Sequence, residues 1–221
     1  MVNSLDTSAS IVFMPGVGAG SESWRYQIEN LPDDFRAIQP VLPGLSDRTD
    51  AVFSLDGAVR SVLSELDRQG VDRAHVCGLS LGAVIATAFA ATHPDRVSSL
   101  ILSAGQVHPP KLLMKIQNAI IRLLPAGIAA PDGMSKEVML SVLRAVAELD
   151  LRDDLARITS PTLVLCGAKD RPNIAAARQL ANGIANAELQ IVPGAGHEWN
   201  TQLPDEFSRR LNRFLLQQRS H

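Results

Sequence analysis

Apolar and polar positions alternate in two rhythms along the whole chain. Six short runs rich in Val, Ile and Leu are separated by longer segments in which apolar residues recur at helical spacing. This alternation is typical of a parallel sheet that is covered by helices on both faces. The predicted strands are Ile11–Met14, Arg36–Val41, Arg73–Cys77, Ser98–Ser103, Thr162–Cys166 and Glu188–Val192.

Helices are predicted between these strands. Ser54 is a suitable N-cap for the second helix, and Gly70 is suited to end it. Pro94 ends the third helix, because proline cannot continue one. The predicted helices are Ser23–Leu31, Leu55–Gln69, Leu81–Thr92, Ile174–Ala181 and Pro204–Gln217.

The chain between the fourth and fifth strands has a different pattern. Residues 111–160 contain no strand pattern but two helical ones, Lys111–Leu124 and Met134–Leu149, separated by prolines and glycines. An insertion of this size after a strand is typical of a lid or cap. The sequence therefore predicts one domain over residues 1–221, with a two-helix cap insertion at about 111–160.

Composition narrows the class of partner. The 221 residues are 46% hydrophobic and 20% charged, which excludes a disordered chain, and 21 basic against 23 acidic residues give a net charge of −2. Proteins that bind nucleic acid or anionic membranes usually carry an excess of basic residues, which this chain lacks. A small-molecule partner is therefore expected, with no nucleic acid and no membrane. The N-terminal residues lack the pattern of a secretory signal, and a cytoplasmic location is expected.

The strongest local signal is the sequence Gly78-Leu79-Ser80-Leu81-Gly82. It directly follows a predicted strand and opens a predicted helix. A G-x-S-x-G at such a turn holds the serine on a sharp bend, with its hydroxyl exposed at the carboxyl edge of the sheet. Ser80 is therefore the candidate nucleophile.

A serine hydroxyl needs a base that removes its proton. His197 follows the last strand through a glycine-containing turn, at the sheet edge where Ser80 is expected. The other four histidines are less suited as the base. They are His75 within a strand, His93 at a helix end, His108 before two prolines and His221 at the last position.

The imidazole in turn needs a carboxylate that holds its tautomer. Asp170 comes just after the fifth strand, whereas the segment Ser103–Val107 after the fourth strand offers no acid. Asp153 and Asp154 are the alternatives that the sequence leaves open.

The chain order Ser80, Asp170, His197 is that of the α/β-hydrolases, which this sequence resembles from about Ile11 to Phe214. Further matching pieces are His93-Pro94-Asp95-Arg96-Val97, Pro161-Thr162-Leu163-Val164, Gly194-Ala195-Gly196-His197 and Leu203-Pro204-Asp205-Glu206-Phe207. The resemblance implies a doubly wound, mainly parallel six-stranded sheet, N-terminally trimmed, in the strand order 2-1-3-4-5-6. In that order a whole strand separates Cys77 from Cys166, so their backbones should lie roughly 10 Å apart, beyond disulfide reach.

Acyl transfer also requires donors for the developing oxyanion. The backbone N–H of Leu81, next to the nucleophile, is one expected donor. The N–H of Val17, in the loop after the first strand, is the other. Similar enzymes usually carry His-Gly in this loop, where this chain has Pro15-Gly16.

These residues predict a serine hydrolase, of carboxylesterase type, that cleaves a small ester, thioester or lactone through an acyl-enzyme, as a monomer or homodimer. No cofactor and no metal are needed. The same constellation serves carbon–carbon bond hydrolases and lyases, and a non-catalytic ligand-binding protein on this fold is the other alternative.

The substrate pocket is predicted from the cap. On the helix Lys111–Leu124 the polar residues form one narrow stripe, and the apolar arc is much wider than the roughly 100° that packing on one body requires. Part of that arc must face an acyl pocket, the second cap helix or another subunit. The candidate substrate-binding residues are Leu113, Ile116 and Ile120, together with Trp199 near His197.

Overall fold

The computed structural model describes residues 8–45, 52–109 and 136–218. Their six strands form one sheet, in which every neighbouring pair is parallel and the order is β2-β1-β3-β4-β5-β6. This order confirms the prediction. The strands are β1 Ala9–Met14, β2 Phe35–Ile38, β3 Ala74–Leu79, β4 Val97–Ser103, β5 Thr162–Gly167 and β6 Ala187–Val192.

Helices connect the strands much as the periodicity predicts. The Ser54 hydroxyl accepts a hydrogen bond from the Gly57 N–H at 3.1 Å and caps α2, and Gly70, with a φ of 64°, follows its end. A 3-10 turn, Ser21–Trp24, precedes α1. The helices are α1 Arg25–Glu29, α2 Leu55–Arg68, α3 Leu81–Thr92, α4 Lys136–Ala147, α5 Arg171–Gly183, α6 Trp199–Gln202 and α7 Pro204–Gln218.

The sheet separates two apolar cores, because successive strand residues point to opposite faces. In β1, Val12 packs with α2, α3 and α5 on one face. Its neighbour Phe13 packs on the other face with Trp24 and with Phe207 of α7. Helices thus cover both faces, and this confirms the doubly wound architecture.

The two cysteines are free and buried, and they lie in different cores. Cys77 of β3 packs on the side of α7, whereas Cys166 of β5 packs on the side of α3. With β4 between their strands, they are core thiols, as expected from the strand order.

Only part of the predicted cap lies within the described residues. The second predicted helix, Met134–Leu149, is present as α4, which ends at Ala147 rather than at Leu149. The first, Lys111–Leu124, lies outside the described residues, and so do the candidate pocket residues Leu113, Ile116 and Ile120. Across the described ranges, no helix is long and apolar enough to cross a membrane.

Candidate active site

Ser80 stands at the sharp turn between β3 and α3. Its backbone has φ 55° and ψ −115°, and a positive φ is costly for a residue with a side chain. The flanking glycines allow this turn to pack. A Cβ on Gly82 would lie 2.1 Å from the backbone oxygen of Met14, and one on Gly78 would lie 2.3 Å from Gly82.

A cavity of about 340 Å³ opens at this turn, at the carboxyl edge of the parallel strands. Open α/β sheets bind their ligands at this edge. Ser80 and Ala104, the two non-glycine residues with positive φ among the described residues, both line it. The lining comprises Gly16, Val17, Leu79, Ser80, Leu81, Val84, Ala104, Gln106, Met139, Val142, Leu143, Val146, Asn173, His197 and Glu198.

The predicted oxyanion donors, Val17 and Leu81, lie beside Ser80 in the cavity wall. Leu81 is the first residue of α3, where backbone N–H groups have no partner within the helix. A Cβ on Gly16 would lie 3.3 Å from the Cβ of Ser80, so the loop after β1 closely approaches the serine. Within the described residues, neither the Val17 nor the Leu81 N–H donates to a backbone oxygen.

His197 and Asp170 are brought together from two loops. His197 lies between β6 and α6, Asp170 precedes α5, and the imidazole Nδ1 is 2.8 Å from Asp170 Oδ2. A Cβ on Gly167 would lie 2.3 Å from the Gly196 oxygen, so the two loops pack without room for a side chain. The Asp170 side chain is only 7% exposed and that of His197 is 41% exposed, so the carboxylate is shielded while the ring faces the cavity.

Two amide residues that the sequence analysis missed complete this cluster. Asn173 Nδ2 lies 2.9 Å from each carboxylate oxygen of Asp170, and Gln106 Nε2 donates to Asn173 Oδ1 at 2.7 Å. Only their positions in the sequence could have indicated these two residues. Asn173 lies one helical turn after Asp170, and Gln106 lies three residues beyond β4.

Other candidates from the sequence lie apart from the cavity. Asp154 pairs with Arg157 at 3.0 Å and Asp153 is exposed, so neither alternative acid reaches His197.

Among the described residues no hydrogen bond joins the Ser80 hydroxyl to His197; the two side chains share the cavity. Three other histidines have their own neighbours: Ser99 for His75, Phe89 for His93 and Asp150 for His108.

Trp199, which the sequence predicts to bind substrate, is not among the described residues that line the cavity. Its side chain is completely buried against Phe207, with ring centroids 4.5 Å apart, and its indole Nε1–H donates to Ser103 Oγ. As the first residue of α6 it lies in the core between the sheet and α7. It therefore packs beneath the His197 loop.

One face of α4 forms an apolar wall of the cavity. The four residues involved recur at three, one and three positions, which places them on a single helix face. The helical pattern was read from the sequence, but not which face turns inward. They are Met139, Val142, Leu143 and Val146.

Burial also affects the Cys166 thiol, which lies near Asp170. Burial chiefly, and secondarily the negative charge of Asp170, raise the pKa of Cys166 to about 11. Cys166 therefore stays protonated near neutral pH. In the part of the chain that the structure describes, no group of three or more His, Cys, Asp or Glu residues is arranged to hold a metal ion.

Fold and site together define a class: a doubly wound α/β protein with a serine on a strained turn and a histidine–carboxylate pair at one end of a parallel sheet. The sequence model of the alpha/beta hydrolase family matches residues 11–210. The chain therefore belongs to the alpha/beta hydrolase family.

Relatives and solved structures agree with this assignment. The chain is 26% identical to a protein of Caulobacter sp. (strain K31) that is named as the carbamate hydrolase RutD, over 93% of this chain and 90% of the relative. It is 27% identical to a 2-hydroxy-6-oxononadienedioate/2-hydroxy-6-oxononatrienedioate hydrolase of Klebsiella pneumoniae, over 95% and 88%. The enol-lactonase from Burkholderia xenovorans LB400 superposes with a TM-score of 0.84 at 23% identity, over 95% and 92% of the two chains. The names of the two relatives support hydrolase activity, and the solved structure agrees with the fold.

Proposed function

We propose that this protein is a serine hydrolase that cleaves a small carboxylic ester, thioester or lactone through an acyl-enzyme. One observation carries the proposal. Ser80, on a strained turn, shares a cavity with a histidine whose Nδ1 is bonded to a buried carboxylate. That arrangement supplies a nucleophile, a base and an orienting acid.

In the proposed reaction, neutral His197 takes the proton of the Ser80 hydroxyl through Nε2 while Oγ attacks the substrate carbonyl. Asp170 holds Nδ1–H in the tautomer that leaves Nε2 free, and it stabilises the imidazolium that forms. The imidazolium then gives its proton to the leaving alcohol as the ester bond breaks. Water, activated by the same ring, hydrolyses the acyl-enzyme and releases the acid. The hydrogen bond from serine to base is often long until a substrate is bound.

The tetrahedral intermediate carries its charge on the former carbonyl oxygen. The N–H groups of Val17 and Leu81 are the donors available beside Ser80, and Leu81 adds the positive end of the α3 dipole. Preorganised donors of this kind are the largest single catalytic contribution in many acyl-transfer enzymes.

The lining favours an apolar acyl group. The α4 face contributes four apolar residues to the lining, and Leu81 and Val84 add two more. Each methylene buried there is worth about 0.8 kcal/mol, so medium-length acyl esters should be better substrates than acetates.

The test is labelling with a fluorophosphonate that carries a fluorescent reporter. The wild-type protein should be labelled at one site and should turn over activated esters. Ser80→Ala should lose the labelling and lower kcat by about 10³-fold or more while the fold is retained. Labelling of both proteins to the same extent would refute the mechanism, and ligand binding without multiple turnover would indicate a non-catalytic protein.

Hydrolysis of a carbon–carbon bond is the second candidate, because the relative from Klebsiella pneumoniae is named for a reaction on a 2-hydroxy-6-oxo dioate. A dioate substrate needs a cation for its carboxylates. Among the described residues that line the cavity there is no Arg or Lys, and Glu198 is acidic. A comparison of kcat/KM for activated esters and for 2-hydroxy-6-oxo dienoates distinguishes the two candidates.

A further inference from the structure

An unbroken line of hydrogen bonds runs from the cavity wall to His197 through two side-chain amides. Gln106 Nε2 donates to Asn173 Oδ1 at 2.7 Å, and Asn173 Nδ2 lies 2.9 Å from both oxygens of Asp170. His197 Nδ1 completes the line at 2.8 Å from Asp170 Oδ2. Three separate segments contribute: the loop after β4, the first turn of α5 and the loop after β6.

The direction of donation along this line follows from Asp170. An ionised carboxylate only accepts hydrogen bonds, so Asn173 must turn its NH₂ group towards Asp170 and its carbonyl oxygen away. That oxygen then needs a donor, which the Gln106 NH₂ group provides. Asn173 is only 7% exposed, and a flip of its amide would lose the bonds on both sides.

Asn173 also lies beside the ring of His197. Its Nδ2 lies 3.2 Å from His197 Nδ1, and both nitrogens approach Asp170 Oδ2, so two N–H groups compete for the same oxygen. The amide N–H therefore shares the Asp170 carboxylate with the imidazole, and its partial positive charge lies beside the ring. In general, an N–H donor that competes for the carboxylate partner of an imidazole and lies beside its ring nitrogen favours the neutral ring.

We infer that Asn173, held in orientation by Gln106, is a positioning residue that keeps His197 aligned and neutral, ready to act as the base. This inference rests on the proposed serine-hydrolase function. Asn173 acts through Asp170 and His197, and it takes no proton from the substrate.

Other titratable groups lie near Asp170 and His197, and none of them is altered when Asn173 is replaced. Lys169 and Arg171 flank Asp170 but are exposed, and Glu198 beside His197 is exposed as well. Cys166 packs near Asp170, and its raised pKa keeps it neutral. The α4 side of the cavity is apolar. Because all of these groups remain in an Asn173 variant, a shift of the His197 titration reports on the amide.

The decisive variant is Asn173→Ala. NMR of the free protein should show the midpoint of the His197 imidazole titration moving to higher pH. The acid limb of kcat/KM for an activated ester should move with it. At about pH 6.5 kcat should fall about tenfold, a loss of the size that one hydrogen bond to a charged group can cause, and the loss should be smaller at about pH 9, with KM little changed. A purely structural role would lower kcat equally at every pH.

The control is Asn186→Ala, which removes an exposed amide that donates to the Thr159 carbonyl oxygen at 3.1 Å. It should leave the His197 midpoint and the acid limb where they are in the wild type. Gln106→Leu removes the donor to Asn173 with little change of volume, and it should move the midpoint in the same direction by a smaller amount. It also decides the question if Asn173→Ala does not fold.

The outcomes separate this inference from the proposed function. If the wild type turns over no ester but the His197 midpoint still moves in Asn173→Ala, the hydrolase proposal fails and the amide's effect on His197 is upheld. If the wild type is active and neither the Asn173 nor the Gln106 variant moves the midpoint, the inference is overturned while the hydrolase proposal stands.

Discussion

The indole Nε1–H of Trp199 donates to the hydroxyl of Ser103 over 3.0 Å, and both side chains are completely buried. Trp199 follows His197 by two residues, and Ser103 is the last residue of β4. The Ser103 carbonyl oxygen in turn accepts the backbone N–H of Ser80 at 2.8 Å. Ser103 therefore connects the His197 loop to the serine turn.

Trp199→Phe should lower the free energy of unfolding by about 1–3 kcal/mol, because it leaves the buried Ser103 hydroxyl without its partner. Ser103→Ala should lower the free energy of unfolding by less in the Trp199→Phe variant than in the wild type, since the hydrogen bond is already lost in that variant. Denaturant unfolding of the two single variants and the double variant measures this. A large rise in the KM of Trp199→Phe with unchanged stability would instead indicate that Trp199 contacts the substrate.

The pH dependence of kcat/KM should follow a single ionisation, with activity rising as pH rises, because in the proposed mechanism only the neutral ring of His197 accepts the serine proton. His197→Ala should abolish both the ionisation and the activity. His93→Ala is the matched control, since His93 packs on Phe89 away from the cavity and should keep the wild-type profile. Retention of rate and profile by His197→Ala would place the base elsewhere.

The apolar face of α4 should set the preference for acyl length. From acetyl to hexanoyl esters, kcat/KM should rise by up to about fourfold per carbon until the cavity is filled. Val146→Phe should shift the optimum to shorter chains, because the added ring occupies the cavity that Val146 lines. Leu140→Phe, on the same helix but outside the lining, should leave the optimum unchanged. A flat or falling series in the wild type would reject an acyl site here.

Both thiols should resist modification in the folded protein. Burial raises the pKa of Cys77 and, with the charge of Asp170, that of Cys166, so near pH 8 neither is a thiolate. A disulfide reagent should titrate no thiol before unfolding and both thiols after it. A thiol that reacts at once in the folded protein would contradict their burial.

The same pKa shifts predict how stability depends on pH. The ordinary pKa of a cysteine thiol is about 9, so the unfolded chain loses its thiol protons above that pH. The folded protein still retains them there. The contribution of Cys166 to stability should thus be complete below that pH and decline as pH rises to about 11. Denaturant unfolding across this range should show a smaller decline in Cys166→Ala than in the wild type.

Much of the fold and part of the site could be predicted from local sequence. The periods of apolar residues give the strands and helices, Ser54 and Gly70 bound α2, and the glycines around Ser80 mark its turn. Asp170 and His197 could be chosen because each follows a strand, and the carboxyl ends of parallel strands meet at one edge of the sheet.

The remaining features depend on which segments the sheet places side by side. Gln106 and Asn173 are 67 positions apart, and they meet because β4 and β5 are neighbours. Trp199 looks from its position like a cavity residue, but the turn into α6 directs it into the core. In the same way, periodicity reveals a helix at α4 but not which face lies over Ser80. A residue pattern determines local conformation, whereas the direction of a side chain relative to a distant segment is decided by packing over the whole structure.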